Sequence, residues 1–386
     1  MLTSQVAGQS LGSPKARGVT VILCCHNSSA NLPRTIEHLA TQVVRENVPW
    51  EVLVVDNAST DGTTSLAREL WPRQSPVPFK VVQEPQLGLA HARARGIAEA
   101  RYELLTFVDD DNWLCPNWIQ TAYQVMWDHP EVGALGGIIE PEFETSCPTW
   151  FGPVAYLYAT GPTGEPSGDV TEMHMLCGAG LTVRHSALTD VRAKGFRSVS
   201  VGRRGASLAA GEDSELTYSL RLAGWRLWID PTLRMKHFLP ERRLRWEYAR
   251  RLAYWSAYAT PERDALVYAC KPPRHGLFLR VRELRERWFW QVGSVVGRLV
   301  RVPTGIAKRG LGAKDGDADV LRVEFLRGRL DGLLAARPWY GDRASEVRAL
   351  MRRLAGPLPK KRPRLLRRAS LRVEEQPRVG VGPHEH

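Results

Sequence analysis

The 386-residue chain predicts an α/β fold: a Rossmann-like, mostly parallel sheet with helices on both faces, followed by a basic helical C-terminal region. Strand-like and helical stretches alternate from residue 18 to the aspartates at 109–111. The strand runs are apolar throughout rather than alternating, as in strands buried on both faces. Charge is also divided unevenly. Residues 1–240 hold 20 Lys+Arg and 25 Asp+Glu (20 − 25 = −5), whereas residues 241–386 hold 33 and 16 (33 − 16 = +17).

In order, "GVTVILCCHN" predicts a buried strand with a loop after it. "LPRTIEHLATQVV" follows with helical spacing at Leu32, Ile36, Leu39 and Val43. "WEVLVVDNASTDGT" predicts a second strand closed by turn residues, "TTSLAREL" a helix, and "FKVVQEP" a third strand. "GLAHARARGIAEA" and "YELLTFVDDD" complete the series as helix and strand. Beyond it, "PNWIQTAYQVMWDHP" reads as a helix, "VGALGGIIEP" as a strand, and "CGAGLTVRHSAL" as a strand turning into a short helix. The stretch "TSCPTWFGPVAYLYATGPTGEPSG" is rich in Pro and Gly and predicts an irregular insertion. "SELTYSLRLAG" is a helix stopped by Gly224, and "WRLWIDP" a final strand. The expected divisions are a disordered N-terminus at 1–17, the α/β domain at 18–240, the basic helical region at 241–356, and a disordered basic tail at 357–386 that includes "PLPKKRPRLLRR".

The composition, 43% hydrophobic and 24% charged, is that of a globular protein. No run of 18 apolar residues exists, which predicts no transmembrane helix. "MLTSQVAGQSLGSPKARG" lacks a charged segment leading into an apolar one, which predicts no signal peptide. The six cysteines form no CxxC pair or zinc spacing and are expected as reduced, buried thiols of a cytoplasmic protein.

In parallel α/β sheets, ligands bind beyond the carboxyl ends of the strands. Asp56 stands at such an end, where its carboxylate could accept an N–H from a nucleobase; the surrounding Asn, Ser, Thr and Gly also make ordinary turns. In "FVDDDNW", an extended backbone would turn Asp109 and Asp111 to one side and Asp110 to the other. Two carboxylates so placed suit a hard cation such as Mg²⁺ or Mn²⁺, and a solvated acidic turn is the alternative. Glu212 and Asp213 precede a helix, as caps or as a general base. His237 could ligate a metal, contact phosphate, or be a satisfied core histidine. Arg242, Arg243 and Arg245 could clamp phosphate or form a solvated face, and "GRRG" at Gly202–Gly205 has the same two readings.

Taken in order, "VTVILCCHN", "WEVLVVDNASTDGT", "EPQLGLAHARARG", "LLTFVDDDN" and "GEDSEL" resemble the family-2 glycosyltransferases of GT-A fold, over about residues 18–240. Within that family, "GEDSELTYSLRLAGWRLWIDP" and "HFLPERRLRW" are similar to bacterial polysaccharide-assembly enzymes, including the hormogonium-polysaccharide type. The resemblance implies an inverting transferase that moves a sugar from a nucleotide-sugar donor, first of all a UDP-sugar, to a saccharide or lipid-linked acceptor. It implies that Asp56 contacts the base, and that Asn27, Asn57, Gly88, Arg93, Asp109, Asp110 and Arg245 also lie against the donor. Asp109 and Asp111 match the DxD metal motif, with Asp111 the more direct ligand to Mg²⁺ or Mn²⁺; His237 matches a metal position of some relatives, and Asp213 matches the base. The chain departs from the family at Cys25-His26-Asn27, where Thr-Tyr-Asn is frequent, and at Ala94, where Asn is common. It also keeps only the Arg-Trp of the processive QxxRW motif, in Arg245-Trp246. A nucleotidyltransferase would share the sheet and metal logic, but "CHNSSANLPR" lacks its Gly-rich, basic loop. The basic half could bind nucleic acid, but it shows no interleaved aromatic pattern, so no nucleic-acid partner is expected. An anionic membrane surface is the expected partner of that half, at the inner face of the plasma membrane.

Overall fold

In the computed structural model, residues 15–160, 167–172, 175–198, 208, 211–271, 283–284, 286–302 and 314–354 are described. Strands β1 (Ala16–Cys25), β2 (Trp50–Asp56), β3 (Phe79–Gln83) and β4 (Tyr102–Asp109) pair in parallel in the order β3-β2-β1-β4. Helices α1 (Leu32–Ala40), α2 (Thr63–Leu70) and α3 (Leu89–Glu99) connect them. The sheet continues through β8 (Thr182–Arg184), β6 (Val132–Phe143), β9 (Arg226–Leu239) and β5 (Asn112–Leu114), with β7 (Gly168–Asp169) pairing β9. β8 is antiparallel to both β4 and β6, whereas β6 and β9 run parallel. The α/β class and GT-A architecture expected from the sequence are therefore present.

The apolar strand runs are explained by two cores. Val21 and Leu23 of β1, Val52 and Val54 of β2, and Leu104 and Val108 of β4 pack on one face with α1 and α4 (Trp118–Asp128). Ile22, Leu53, Val55, Leu105 and Phe107 alternate to the other face. There they meet α3, α5 (His185–Ala193) and α6 (Glu212–Ala223). The same core takes Leu266 of α8 (Thr260–Ala269) and Val347 and Leu350 of α11 (Tyr340–Leu354). The basic C-terminal half therefore supplies helices that cover the sheet. A buried ion pair reinforces this, with Arg343 of α11 donating to Glu215 of α6 at 2.9 Å. Helix α7 (Trp246–Tyr258) packs on a 3₁₀ helix at Gly152–Tyr158, inside the insertion expected to be irregular. Helices α9 (Trp288–Val300) and α10 (Ala318–Ala336) share a fourth core around Val295, Leu326 and Leu333.

Two elements, and the burial of the cysteines, differ from the sequence reading. Helix α1 stops at Ala40 rather than running past Val43, because Thr41 caps it and Val43 N–H turns to the Pro116 carbonyl. Val43 is consequently exposed. β9 does not end at "WRLWIDP": it runs through Pro231 to Leu239, with a register shift against β6 that absorbs the proline. Among the cysteines, all six are free and Cys25 is buried, but Cys147 and Cys177 are exposed, so uniform burial was wrong. No helix among the described residues is long and apolar enough to cross a membrane. The expected N-terminal disorder, apart from residues 15–17, the "GRRG" loop and the basic tail lie outside the described residues. Residues Ala16 and Arg17 already belong to β1.

Candidate active site

The carboxyl ends of β1, β2 and β4 carry one polar cluster. Asn27 follows β1 with φ at 51°, a left-handed conformation that Asn tolerates. Its Oδ1 accepts from Thr60 N–H at 2.8 Å, and its own N–H donates to Ser59 Oγ at 2.9 Å. Asn57 links three loops: its Nδ2 donates to the carbonyls of Glu84 and Gln86, and its Oδ1 accepts from Gly88 N–H at 2.7 Å. Gly88 precedes α3 at φ 140°, a backbone that a side chain would strain. Asp56 is 2% exposed. Its Oδ1 accepts from Ser59 N–H at 3.0 Å, while Oδ2 accepts from Thr64 Oγ1 and, at 3.3 Å, from Gln83 Nε2. Both Asp56 oxygens thus hold the β2 loop in shape.

The three aspartates do not alternate along an extended chain. β4 ends at Asp109, and Asp110 and Asp111 form a turn before β5. Asn112 Oδ1 accepts from Asp109 N–H at 3.1 Å across that turn, and β5 then pairs with β9, setting Asn112 opposite His237. The carboxylates take three surroundings. Asp109 acts on Arg93 of α3. Asp110 is raised to about 6 by burial and by the neighbouring Asp111 charge, against a hydrogen bond with Ser28. Asp111 is 4% exposed and faces β9. Burial would raise its pKa, but His237 and Arg243 hold it well below the carboxylate range.

Arg243 Nη1 donates to Asp111 Oδ2 at 2.7 Å and lies 3.3 Å from His237 Nε2. His237 Nε2 is itself 3.5 Å from Asp111 Oδ2. Its Nδ1 is 2.9 Å from the Tyr158 carbonyl, which can only accept, so Nδ1 carries a proton and Nε2 is the nitrogen turned to the cluster. Carbonyl-anchored imidazole is how metal-binding histidines are usually held. One carboxylate oxygen and one imidazole nitrogen, converging on a positive group, fit Mg²⁺ or Mn²⁺ in chemistry. The described residues contain no set of three such groups, so substrate oxygens would have to complete the shell.

On the opposite side of β4, Arg93 Nη1 donates to Asp213 Oδ1 at 2.6 Å and reaches Glu212 Oε2 at 3.4 Å. Its guanidinium lies 5.5 Å from the Phe107 ring centroid. Burial works against the Arg93 charge, yet Asp213, Asp109 and Glu212 together raise its pKa. Asp213 Oδ2 accepts from Gly178 N–H at 2.9 Å, and a Cβ on Gly178 would come within 2.2 Å of Asp213 Oδ1. Glu212 is pushed up to about 7, first by burial and then by Asp213 and Asp109 against Arg93. Its Oε1 is buried with no hydrogen-bond partner among the described residues.

Of the residues singled out from the sequence, Asn27, Asp56, Asn57, Gly88, Arg93, Asp109, Asp110, Asp111, His237 and Asp213 gather at this end of the sheet. Arg245 does not: it is exposed and pairs with Glu241 at 3.4 Å. The arginine that reaches the aspartates is Arg243, because Pro240 starts a 3₁₀ turn that folds the chain back beside β9. The run "ERRLRW" offers three like arginines and no signal to choose among them. Gly178 also escaped notice, although the glycines of "CGAG" mark close backbone approach.

A mostly parallel sheet with aspartates at its carboxyl ends and an acidic helix start beside them is an arrangement of the GT-A fold. A mannosyltransferase from Pyrobaculum calidifontis, solved with GDP-Man and Mn²⁺, shares the fold at a TM-score of 0.51 and 16% identity, covering 87% of this chain and 92% of that one. Residues 20–188 match the model for glycosyl transferase family 2. Among its relatives, a glucosyl-dolichyl phosphate glucuronosyltransferase of Haloferax volcanii is 21% identical over 46% of this chain and 56% of that protein. The glycosyltransferase GlyG of Streptococcus pneumoniae is 30% identical over 28% of this chain and 34% of that protein. The chain spans about half the length of the curated relatives it matches, from 40% to 56% among the first three.

Proposed function

We propose that the protein transfers a sugar, with inversion, from a nucleotide-sugar to a saccharide or lipid-linked acceptor of bacterial polysaccharide assembly. The observation that carries this reading is Arg93, which joins Asp213 at the start of α6 to the Asp109 end of β4. A prospective base and the strand end expected to face the diphosphate thus share one guanidinium.

In this reading Asp213 takes the proton of an acceptor hydroxyl while that oxygen attacks the anomeric carbon. The bond from that carbon to the diphosphate oxygen breaks in the same displacement, which inverts the configuration. Arg93 and Gly178 N–H fix the Asp213 carboxylate, so its direction is set before the acceptor arrives. The β1–β2 loop framework built by Asn27, Asp56 and Asn57 shapes the seat for base and ribose. Asp111 and His237 would hold Mg²⁺ or Mn²⁺, which when bound neutralises the diphosphate charge. The Haloferax relative is named for a dolichyl phosphate-linked sugar, which supports a lipid-linked acceptor for this chain as well. A UDP-sugar is the first donor to try.

The test is release of free nucleoside diphosphate from a panel of nucleotide-sugars, with and without Mn²⁺. Metal-dependent release from at least one donor is expected. Release of inorganic pyrophosphate from a nucleoside triphosphate and a sugar phosphate would instead make the chain a nucleotidyltransferase.

A further inference from the structure

Helix α9 has two apolar faces and needs only one for the fold. Val295 is buried against α10, with Trp288, Val292 and Leu299 partly covered beside it. Trp288 Nε1 donates to the Leu333 carbonyl of α10 at 2.5 Å, which locks the helix in rotation. The adjoining face, about 100° round the helix, carries Phe289 at 54% exposure, Trp290 at 48%, Val296 at 41% and Val300 at 79%. Residues 289, 293, 296 and 300 are spaced by four, three and four, which is one stripe of a helix. Gly293 and Gly297 complete that surface without adding polarity, and a Cβ on either would meet only open space. Helical spacing puts Arg298 and Arg301 on the flank beside Trp290, and Arg287 precedes the first turn. All three arginines are exposed, and the stretch 287–302 contains no acidic residue.

We propose that this face of α9 docks the protein on an anionic phospholipid surface, with Phe289, Trp290, Val296 and Val300 entering the headgroup boundary and Arg287, Arg298 and Arg301 meeting lipid phosphates. A contiguous exposed apolar stripe on a well-packed helix marks an interaction site. Aromatic side chains beside arginines are the combination that settles at a membrane–water boundary. Charge selects the membrane over a second copy of the chain. Two such faces brought together would confront arginines with apolar side chains and more arginines, with no carboxylate to meet them. The proposal deepens the reading of a lipid-linked acceptor, since docking here would bring the enzyme to the surface where that acceptor lies. It narrows the anchoring from the basic half as a whole, where sequence composition put it, to one folded element. Vesicle binding needs neither donor nor acceptor, so its failure is separate from failure of the transferase reading.

The experiment is co-sedimentation of the full chain with phosphatidylcholine vesicles, with and without phosphatidylglycerol, at low and high salt. Phe289→Ser/Trp290→Ser and Arg287→Gln/Arg298→Gln/Arg301→Gln variants run beside the wild type. The substituted side chains are exposed or partly so, and a thermal melt checks that folding is intact. Wild type should bind only vesicles containing phosphatidylglycerol, and less at high salt. Each variant should bind at least ~10-fold more weakly although the tail is unchanged. Wild-type binding by the Phe289/Trp290 variant would overturn the proposal in favour of the tail. Equal binding to neutral vesicles would overturn the anionic partner. Sedimentation as a dimer that these serines abolish, with no vesicle binding, would overturn it in favour of a second copy.

Discussion

Replacing Arg243 by Gln tests how the acidic turn is held. Asp111 is 4% exposed, and its charge partner is the Arg243 guanidinium 2.7 Å from Oδ2. The Asp111 Oδ1 bond from Asn112 Nδ2 at 2.9 Å survives the substitution, as does His237 at 3.5 Å. Breaking a buried ion pair by removing one partner costs about 3–5 kcal/mol. The surviving contacts soften this, so the metal-free variant should lose about 2–3 kcal/mol. A divalent cation between Asp111 and His237 restores the missing positive charge, and no guanidinium has to leave first. Mn²⁺ should therefore bind the variant ~10-fold or more tightly than the wild type, equivalent to about 1.4 kcal/mol. At a concentration near 100 times its dissociation constant, it should recover about 2.7 kcal/mol. Thermal melts with and without Mn²⁺, and free Mn²⁺ counted by its electron paramagnetic resonance signal, give both quantities without any turnover. Equal melting temperatures of variant and wild type, or equal Mn²⁺ affinity, would refute the idea that Arg243 stands where the cation belongs.

Asp213→Asn should lower the transfer rate by about 100-fold or more while leaving nucleotide-sugar affinity little changed, since a neutral amide no longer takes the acceptor proton. Gly178→Ala should give a similar loss of kcat with a near-normal melt, because a Cβ 2.2 Å from Asp213 Oδ1 forces that carboxylate aside. Glu212 sits at about 7 in the fold against an ordinary 4.5, so between those values the native state keeps a proton that the unfolded chain releases. Stability should therefore fall as pH rises through that window, by roughly 3 kcal/mol from this group. Glu212→Gln should flatten that part of the curve, seen by comparing urea midpoints of variant and wild type at both ends of the window.

The sheet was legible in the sequence because its strands are buried on both faces. Val21 and Ile22 are both fully buried yet belong to opposite cores, so residues 21–25 of β1 form an apolar run with no alternation. The loops after those strands were legible for the same topological reason, since ligands gather at carboxyl ends. What was hidden depended on contacts distant in sequence. Asp230 and Pro231 look like the end of a strand, and only pairing with β6 shows that the chain bulges and continues to Leu239. The alternation of Asp109 and Asp111 assumed an extended chain, whereas β5 must turn back to reach β9. Arg243 and Arg245 are chemically identical, and a single 3₁₀ turn decides which one meets Asp111. Gly178 gains its meaning only from α6, a helix that begins 34 residues later at Glu212.

The central claim is that the acidic ends of β4 and α6 act together on a nucleotide-sugar. Its most direct measurement is nucleoside diphosphate release by wild type, Asp111→Ala and Asp213→Asn, each with a panel of nucleotide-sugars, Mn²⁺ and a saccharide or lipid-linked acceptor. The account predicts release by the wild type with at least one donor, loss of metal-dependent release in Asp111→Ala, and loss of transfer with donor binding retained in Asp213→Asn. Wild-type rates and unchanged metal dependence in both folded variants would contradict it.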